Sequence, residues 1–436
     1  MPLYHPNMLR RRLVPYLLLA GLFVFFAAFL LYPIWLTIAS GFESDDGGIT
    51  LYHVFDVFRD DSTRRGLFNA LGIAVATTIL SVIIALPLAV LAARFNFVGK
   101  GVVSSLILVP LILPPFVGAI GLHHLLGRSG AFNTLLIDLG FISEGVDFIG
   151  QGGFWAIVFI EALHLYPILY LNATAALANL DPALEEAAEN LGASPWRRFK
   201  DVVLPLIRPG LFAGATIVFI WSFTELGTPL MFNYQEVTPV QIFNGIKEMA
   251  ASRQPYALTA VLLLCAISFY VVGKLVFGGK AYAMYSKASV QSTPTRLHGW
   301  LGVAALLGFA SVICLAVLPH VSVVLTSLAG EASWYGSVFP KDWTLSHFDQ
   351  ALTHPLAVGS IQNSLLYSTL AVLLDLVVGL FIAYIVVRTK IRGRGLLDAL
   401  SMMPLAVPGL VMAFGYVAMT LRWPFGKGDP LEGFVS

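Results

Sequence analysis

Nine separate stretches of this chain are long enough and apolar enough to cross a lipid bilayer, and no other feature limits its fold so strongly. A hydrocarbon core is spanned by about 20 mostly apolar residues. On that measure the runs are Leu13–Ala39, Leu67–Ala93, Val102–Leu126, Phe154–Leu177, Leu211–Phe232, Ala257–Phe277, Trp300–Leu328, Ser364–Val387 and Leu396–Leu421. In lipid each backbone amide must find its partner within its own segment, so these runs are predicted to be helices. Only 12% of the 436 residues are charged, about half the share of a soluble domain. The expected fold class is an all-α integral membrane protein with about nine transmembrane helices. The first run follows Arg10-Arg11-Arg12 and is too long for the apolar part of a signal peptide, so it reads as an uncleaved span. Pro15, Pro33 and Pro114-Pro115 should kink their helices. Cys265 and Cys314 each sit inside an apolar run, which excludes a disulfide framework or a CxxC site.

Basic residues set the expected orientation. With the N-terminus placed in the cytoplasm, 17 of the 26 Lys and Arg residues fall on the cytoplasmic side, among them Arg94, Lys100, Lys280, Lys287 and Arg388. Sixteen of the 25 acids fall on the opposite side. The expectation is a multi-pass protein of a bacterial cytoplasmic (inner) membrane with its N-terminus cytoplasmic.

The chain also repeats. A shift of 294 residues, without a gap, lays Asn69 on Asn363, Arg94 on Arg388, Gly99 on Gly393, Gly101 on Gly395, Pro110 on Pro404, Pro114 on Pro408 and Gly121 on Gly415. Each copy reads as a span, a tight basic Gly-x-Gly turn and a proline-broken span. Both turns face the same side, so the repeat is parallel rather than inverted. The expected division is 1–66 for an N-terminal helix and loop, 67–278 for a first unit, 279–358 for a linker with the seventh span, and 359–436 for a partial second unit. The second unit is expected to be truncated, because the counterpart of the polar loop described next would lie near position 480.

That loop, Asp181–Pro205, carries five acids and three bases between two spans. Asp181 can cap a helix with Pro182 at its first position, and Gly192 is suited to a left-handed stop. Ser194-Pro195 should open a second short helix bearing Trp196, Arg197, Arg198 and Lys200 and ending near Leu204-Pro205. Within the loop, Glu186-Ala187-Ala188, three residues, Gly192, nine residues and Val202-x-Leu204-Pro205 resemble the EAA loop of binding-protein-dependent ABC transporter permeases. The departure from that pattern is Val202 where the family has Ile. The resemblance covers about Leu67–Phe277 and, as a partial second copy, Ser360–Leu421. Two fused units look like the ferric-iron type, and Ser222–Phe232 (SFTELGTPLMF) resembles a stretch of iron(III) permeases.

The resemblance implies a type I importer, in which a cytosolic ABC ATPase dimer receives the loops and a periplasmic or lipid-anchored binding protein delivers substrate from outside. It implies coupling roles for Glu186, Ala187, Ala188, Gly192, Arg197, Arg198, Leu204 and Pro205. ATP would be used by the partner, since the chain has no G-x-x-x-x-G-K-[ST]. No catalytic residue, cofactor, metal ligand or nucleic-acid contact is expected, and the chain is read as a transport subunit rather than an enzyme. Thiamine, phosphonate, polyamine and sulfate permeases are related machines, so those substrates stay open.

Three acids fall within predicted spans: Glu161, Glu225 and Asp375. Intramembrane acids are costly, and Glu225 and Glu161 are candidates for the substrate path, with acids bonded between helices as the alternative. A carboxylate suits a hard cation, and Gly227 and Pro229 are expected to break the helix beside Glu225. A rival class, the ion-coupled secondary transporter, would use the same two glutamates but leave the loop without a task. His123, His124 and His164 read as packed or interfacial rather than as ligands, since adjacent helix residues point apart. Asp375 falls on Ser81 in the repeat and has no assigned role.

Overall fold

The computed structural model describes residues 6–44, 46–149, 153–246, 252–277, 294–331 and 333–421. Lys280, Lys287 and the tail after Leu421 lie outside them. Almost every element is a helix. Helix α1 (Pro6–Phe26) runs through a π turn at Ala27–Leu31 into α2 (Tyr32–Gly41). The widened turn stands just before Pro33, which has no N–H to offer the Phe29 carbonyl one turn back. The Tyr416 hydroxyl donates to that carbonyl instead, at 2.7 Å.

After α3 (Tyr52–Arg59), Asp60 caps the 34-residue α4 (Asp61–Arg94) by accepting from the Thr63 N–H at 2.8 Å. A two-residue strand β1 (Phe95–Asn96) follows, then Gly99 at φ +83°, a left-handed conformation that suits glycine. Helix α5 (Lys100–Leu106) and a short 3₁₀ turn (Val109–Leu111) lead to α6 (Pro115–Leu126) and α7 (Ala131–Asp138). Pro110, Pro114 and Pro115 remove three donors in six residues. The chain bends by 95° between Lys100–Leu111 and Pro115–Asp138, so the third expected span is a bent pair rather than a kinked rod.

Helix α8 (Phe154–Ala178) is followed by α9 (Pro182–Asn190) and α10 (Pro195–Arg198), a π turn at Phe199–Val203, and α11 (Leu204–Phe223). The second loop helix therefore does not end at Leu204-Pro205 as expected. It continues through the π turn, where Leu204 N–H bonds the Phe199 carbonyl, and Pro205 follows directly on that widened turn as the second residue of α11. The fifth span is shifted accordingly: the helical run is Pro195–Phe223 rather than Leu211–Phe232. The break comes at Thr224–Leu226, ahead of Gly227 and Pro229, which were expected to make it and instead lie within α12 (Gly227–Met231).

Helices α13 (Thr238–Gly245) and α14 (Gln254–Phe277), strand β2 (Thr295–Arg296) and α15 (Trp300–Leu328) come next. They are followed by α16 (Ser346–Thr353) and α17 (Pro355–Ala383), which ends in a π turn at Tyr384–Arg388. Gly393, at φ +97°, then opens α18 (Arg394–Ala406), and α19 (Gly409–Leu421) follows with a second bend of 99°. The two copies of the repeat thus share a long helix, a left-handed glycine and a near-right-angle bend. Among the described residues, seven helices are long and apolar enough to span a membrane, or up to nine with each bent pair taken as one.

The chain packs as two compact units. One comprises residues 60–243 and 264–344. Here α4, α8 and α11 pack together around buried Tyr166, Leu169 and Ile207, with Phe309 of α15 in the same core. Phe95 and Asn96 pair in parallel with Thr295 and Arg296. Helix α15 crosses α6 at Gly121, where an added Cβ would overlap the Pro319 carbonyl. The other unit comprises residues up to 59, 244–263 and those from 345 onward. Within it α2 crosses α19 at Gly415, whose added Cβ would stand 2.9 Å from the Pro33 carbonyl oxygen. Tyr256 meets Phe414 edge to face at 5.2 Å between centroids.

Gly121 and Gly415 are repeat counterparts, and each takes the backbone of a proline-bearing span. The span that precedes the second copy in sequence covers the first copy, and the span that precedes the first copy covers the second.

Candidate functional site

The loop between α8 and α11 is built as two helices around one glycine. Asp181 Oδ1 accepts the Ala183 N–H at 3.0 Å, and Pro182 occupies the first helical position. At the far end Gly192 N–H bonds Glu189 O at 2.8 Å and Ala193 N–H bonds Ala188 O at 3.0 Å. This pair of bonds is a Schellman closure, which needs a left-handed residue at its corner, and Gly192 sits at φ +80°. Nothing lies within 4 Å of a Cβ built there, so the requirement for glycine is conformational rather than spatial. Ser194 Oγ then accepts the Arg197 N–H and starts α10.

Exposure and ion pairing divide the loop's side chains. Glu186, Ala187 and Arg197 are exposed, beside the apolar side chains of Leu184, Leu191 and Trp196. Glu185 and Glu189, one turn apart on α9, each hold an arginine: Glu185 pairs with Arg94 at the end of α4, and Glu189 with Arg198 beyond the glycine. Of the two arginines expected to face a partner, Arg198 is thus engaged inside the loop. Leu204 is half-buried and Pro205 exposed, while Val203 and Ile207 anchor the start of α11 in the core beside Leu177 and Leu180. A cavity of about 240 Å³ lies between the ion pairs, lined by Arg94, Glu185, Glu186, Glu189, Arg198 and Leu180. Sequence reasoning missed Arg94 and Glu185 as partners. The only available signal was that Arg94 is one of the residues the repeat reproduces.

The intramembrane acids separate from one another. Glu161, on α8, is 1% exposed and accepts the hydroxyls of Ser222 and, at 3.5 Å, Thr77. Its Oε1 has no partner. Glu225 occupies the break after α11, where its Oε1 accepts the N–H groups of Gly227 and Thr228 at 3.0 and 3.2 Å. It thereby caps α12 in the manner of an N-terminal acceptor. Asp375, by contrast, is exposed along α17.

The histidines do not converge. His123 lies against the Phe232 ring, His124 stacks on Trp334 at 6.0 Å, and His164 Nδ1 donates to the Pro110 carbonyl at 2.7 Å, which Pro114 cannot reach. Among the described residues no three of His, Cys, Asp or Glu gather as a metal site. A second cavity of about 390 Å³ is lined by His123, His124, Arg128, Trp334 and Tyr335.

Residues 85–281, which include the whole loop, match the family described as binding-protein-dependent transport system inner membrane component. The molybdenum transport system permease protein ModB of Haemophilus influenzae is 31% identical over 217 residues, covering 48% of this chain and 90% of that protein. This chain belongs to that family. Its helical architecture and its many apolar spans are those of a multi-pass inner membrane component. The ferric transport system permease protein FbpB of Actinobacillus pleuropneumoniae is 29% identical over 371 residues, 81% of this chain and 50% of that protein. This family member spans about half the length of the ferric-transport relatives it matches. A crystal structure of a bacterial ABC transporter involved in the import of the acidic polysaccharide alginate aligns with a TM-score of 0.47 at 21% identity, over 64% of this chain and 96% of that one.

Proposed function

We propose that this chain is the membrane-spanning part of an ATP-driven, binding-protein-dependent importer, and that Asp181–Pro205 is where it meets its ATPase. The observation that carries the reading is the exposed face of the loop. Small Ala187, apolar Leu184 and charged Glu186 on α9, Leu191 at its end, and Trp196 and Arg197 on α10 are all exposed, on two short helices joined at the corner that Gly192 sets. An amphipathic helix with its apolar side uncovered is suited to a hydrophobic groove on a partner, and the flanking charges would fix register. On this reading the N-terminus and the loop are cytoplasmic, as the Lys and Arg bias favours. A binding protein docks on the opposite face, and ATP is hydrolysed on the partner rather than here.

The cargo we infer is ferric iron. Ferric transport permeases match 81% of the chain, whereas the molybdenum and spermidine/putrescine permeases match 38–48% of it. Glu225 and Glu161 are the carboxylates available near a path, and both are already hydrogen-bonded within the fold.

The test is Gly192→Val. A β-branched residue is strained at positive φ, so the variant should insert normally but lose the ATPase subunit in a pull-down and lose uptake of radiolabelled ferric ion. Unchanged association and uptake would refute the docking role. Uptake of molybdate or spermidine in place of iron by the wild type would refute the cargo.

A further inference from the structure

The inner face of α9 is as specific as its outer face. Glu185 and Glu189 are four residues apart and so lie on one side of the helix, roughly opposite exposed Ala187, with Glu186 lining the same cavity between them. Both terminal guanidinium nitrogens of Arg94, Nη1 and Nη2, donate to the two oxygens of Glu185, a fork geometry that fixes direction as well as distance. The pair is partly sheltered, with side chains 32% and 18% exposed. Arg94 is the last residue of α4, and Phe95 immediately after it is tied to Thr295. Glu189 holds Arg198, from which an unbroken helical path runs into α11. One helix face therefore grips the ends of two spans that pack on each other and on α8. The repeat supplies a contrast: Arg388, the counterpart of Arg94, has no carboxylate partner among the described residues.

We propose that Glu185 and Glu189 are positioning residues that carry displacement of the loop into α4 and α11 through Arg94 and Arg198. The proposal rests on the reading of the loop as the ATPase dock, and adds that the docking helix acts on two spans by separate ionic struts. Without the struts α9 would still present its outer face, but its movement would be taken up by the Asn179–Asp181 connection and the Gly192 corner. Binding and ATP hydrolysis would persist while transport fell.

The experiment uses the assembled transporter, with its ATPase subunits and binding protein, in proteoliposomes. Two quantities are read: ATPase subunits retained, and ATP hydrolysed per ferric ion delivered. Glu185→Gln and Arg94→Gln should retain the subunits but raise ATP per ion about fivefold or more, in line with the loss of a close charge pair. The exchange Arg94→Glu with Glu185→Arg should recover most of the coupling. Single variants with wild-type ATP per ion overturn the proposal, as do variants in which hydrolysis and uptake fall in equal proportion and the exchange restores neither. Should the single variants fail to insert, the exchange decides: wild-type coupling supports the struts and raised ATP per ion overturns them. A wild-type chain that retains no ATPase subunit overturns the docking reading itself, and the struts with it.

Discussion

Alanine placed at three helical glycines should produce a graded loss of stability, because the same added methyl meets open space, a near contact and a backbone oxygen. Gly379, on α17, has nothing within 4 Å of a built Cβ. Gly379→Ala there should hold or raise stability, by up to about 1 kcal/mol from helix propensity. At Gly415 the Cβ would stand 2.9 Å from Pro33 Cβ and from its carbonyl oxygen. The helices must part by about half an ångström; overpacking of this kind costs roughly 1–3 kcal/mol, so a net loss of about 1 kcal/mol is expected after the propensity gain.

At Gly121 the Cβ overlaps the Pro319 oxygen, with the carbonyl carbon at 2.6 Å and the Cα at 3.1 Å. A carbonyl fixed in a helix cannot rotate aside as a side chain could. Helices α6 and α15 must separate, and the net loss should reach about 3 kcal/mol. Thermal unfolding of the detergent-solubilised protein, followed by loss of the monodisperse peak, reads the series. At about 2–4 °C per kcal/mol for units of this size, Gly121→Ala should melt roughly 6–12 °C below wild type. A Gly121→Ala protein that melts within about a degree of Gly379→Ala would refute the α6–α15 crossing and, with it, the exchange of covering spans between the two copies.

The remaining predictions concern single polar contacts. Ser222→Ala removes a donor from buried Glu161 and should cost about 1–3 kcal/mol in the same melting assay, whereas Glu161→Gln keeps an oxygen for Ser222 and should preserve both stability and uptake. Loss of uptake in a stable Glu161→Gln protein would instead place that carboxylate in the substrate path. Asp60→Ala should cost about 1 kcal/mol by uncapping α4. The Thr63 N–H holds the Asp60 carboxyl below its ordinary value of 3.8, so the cap's contribution is full above that value and is lost as pH falls through the lowered one. The gap between wild type and Asp60→Ala should therefore be constant from about pH 7 to pH 5 and close below about pH 4.

Much of this was legible in the linear chain, and the reasons are local. Hydropathy marked the spans, since a bilayer leaves a backbone little choice but helix; α15 was expected over Trp300–Leu328 and forms over those residues. Asp181, Pro182 and Gly192 announced both ends of α9, because caps and left-handed corners depend on a few adjacent residues. Prolines were less transparent. Pro114-Pro115 promised a kink and delivered a 95° bend, while Pro205 promised a stop and was absorbed by a π turn. Whether a missing donor breaks a helix depends on what else can satisfy the freed carbonyl, and that is a tertiary matter.

The candidate loop shows the same division. Its outer face follows from spacing alone, but the grip of Glu185 on Arg94 joins residues 91 apart and could not be read from either segment. So too with the repeat. The sequence by itself determined that two copies of one pattern exist, with matching Arg, Gly and Pro positions. Only the tertiary structure decided which span covers which copy. Apolar helices in lipid have no hydrophobic preference among neighbours, and close backbone approach at small residues selects the partner. Here that selection is made by Gly121 on Pro319 and Gly415 on Pro33.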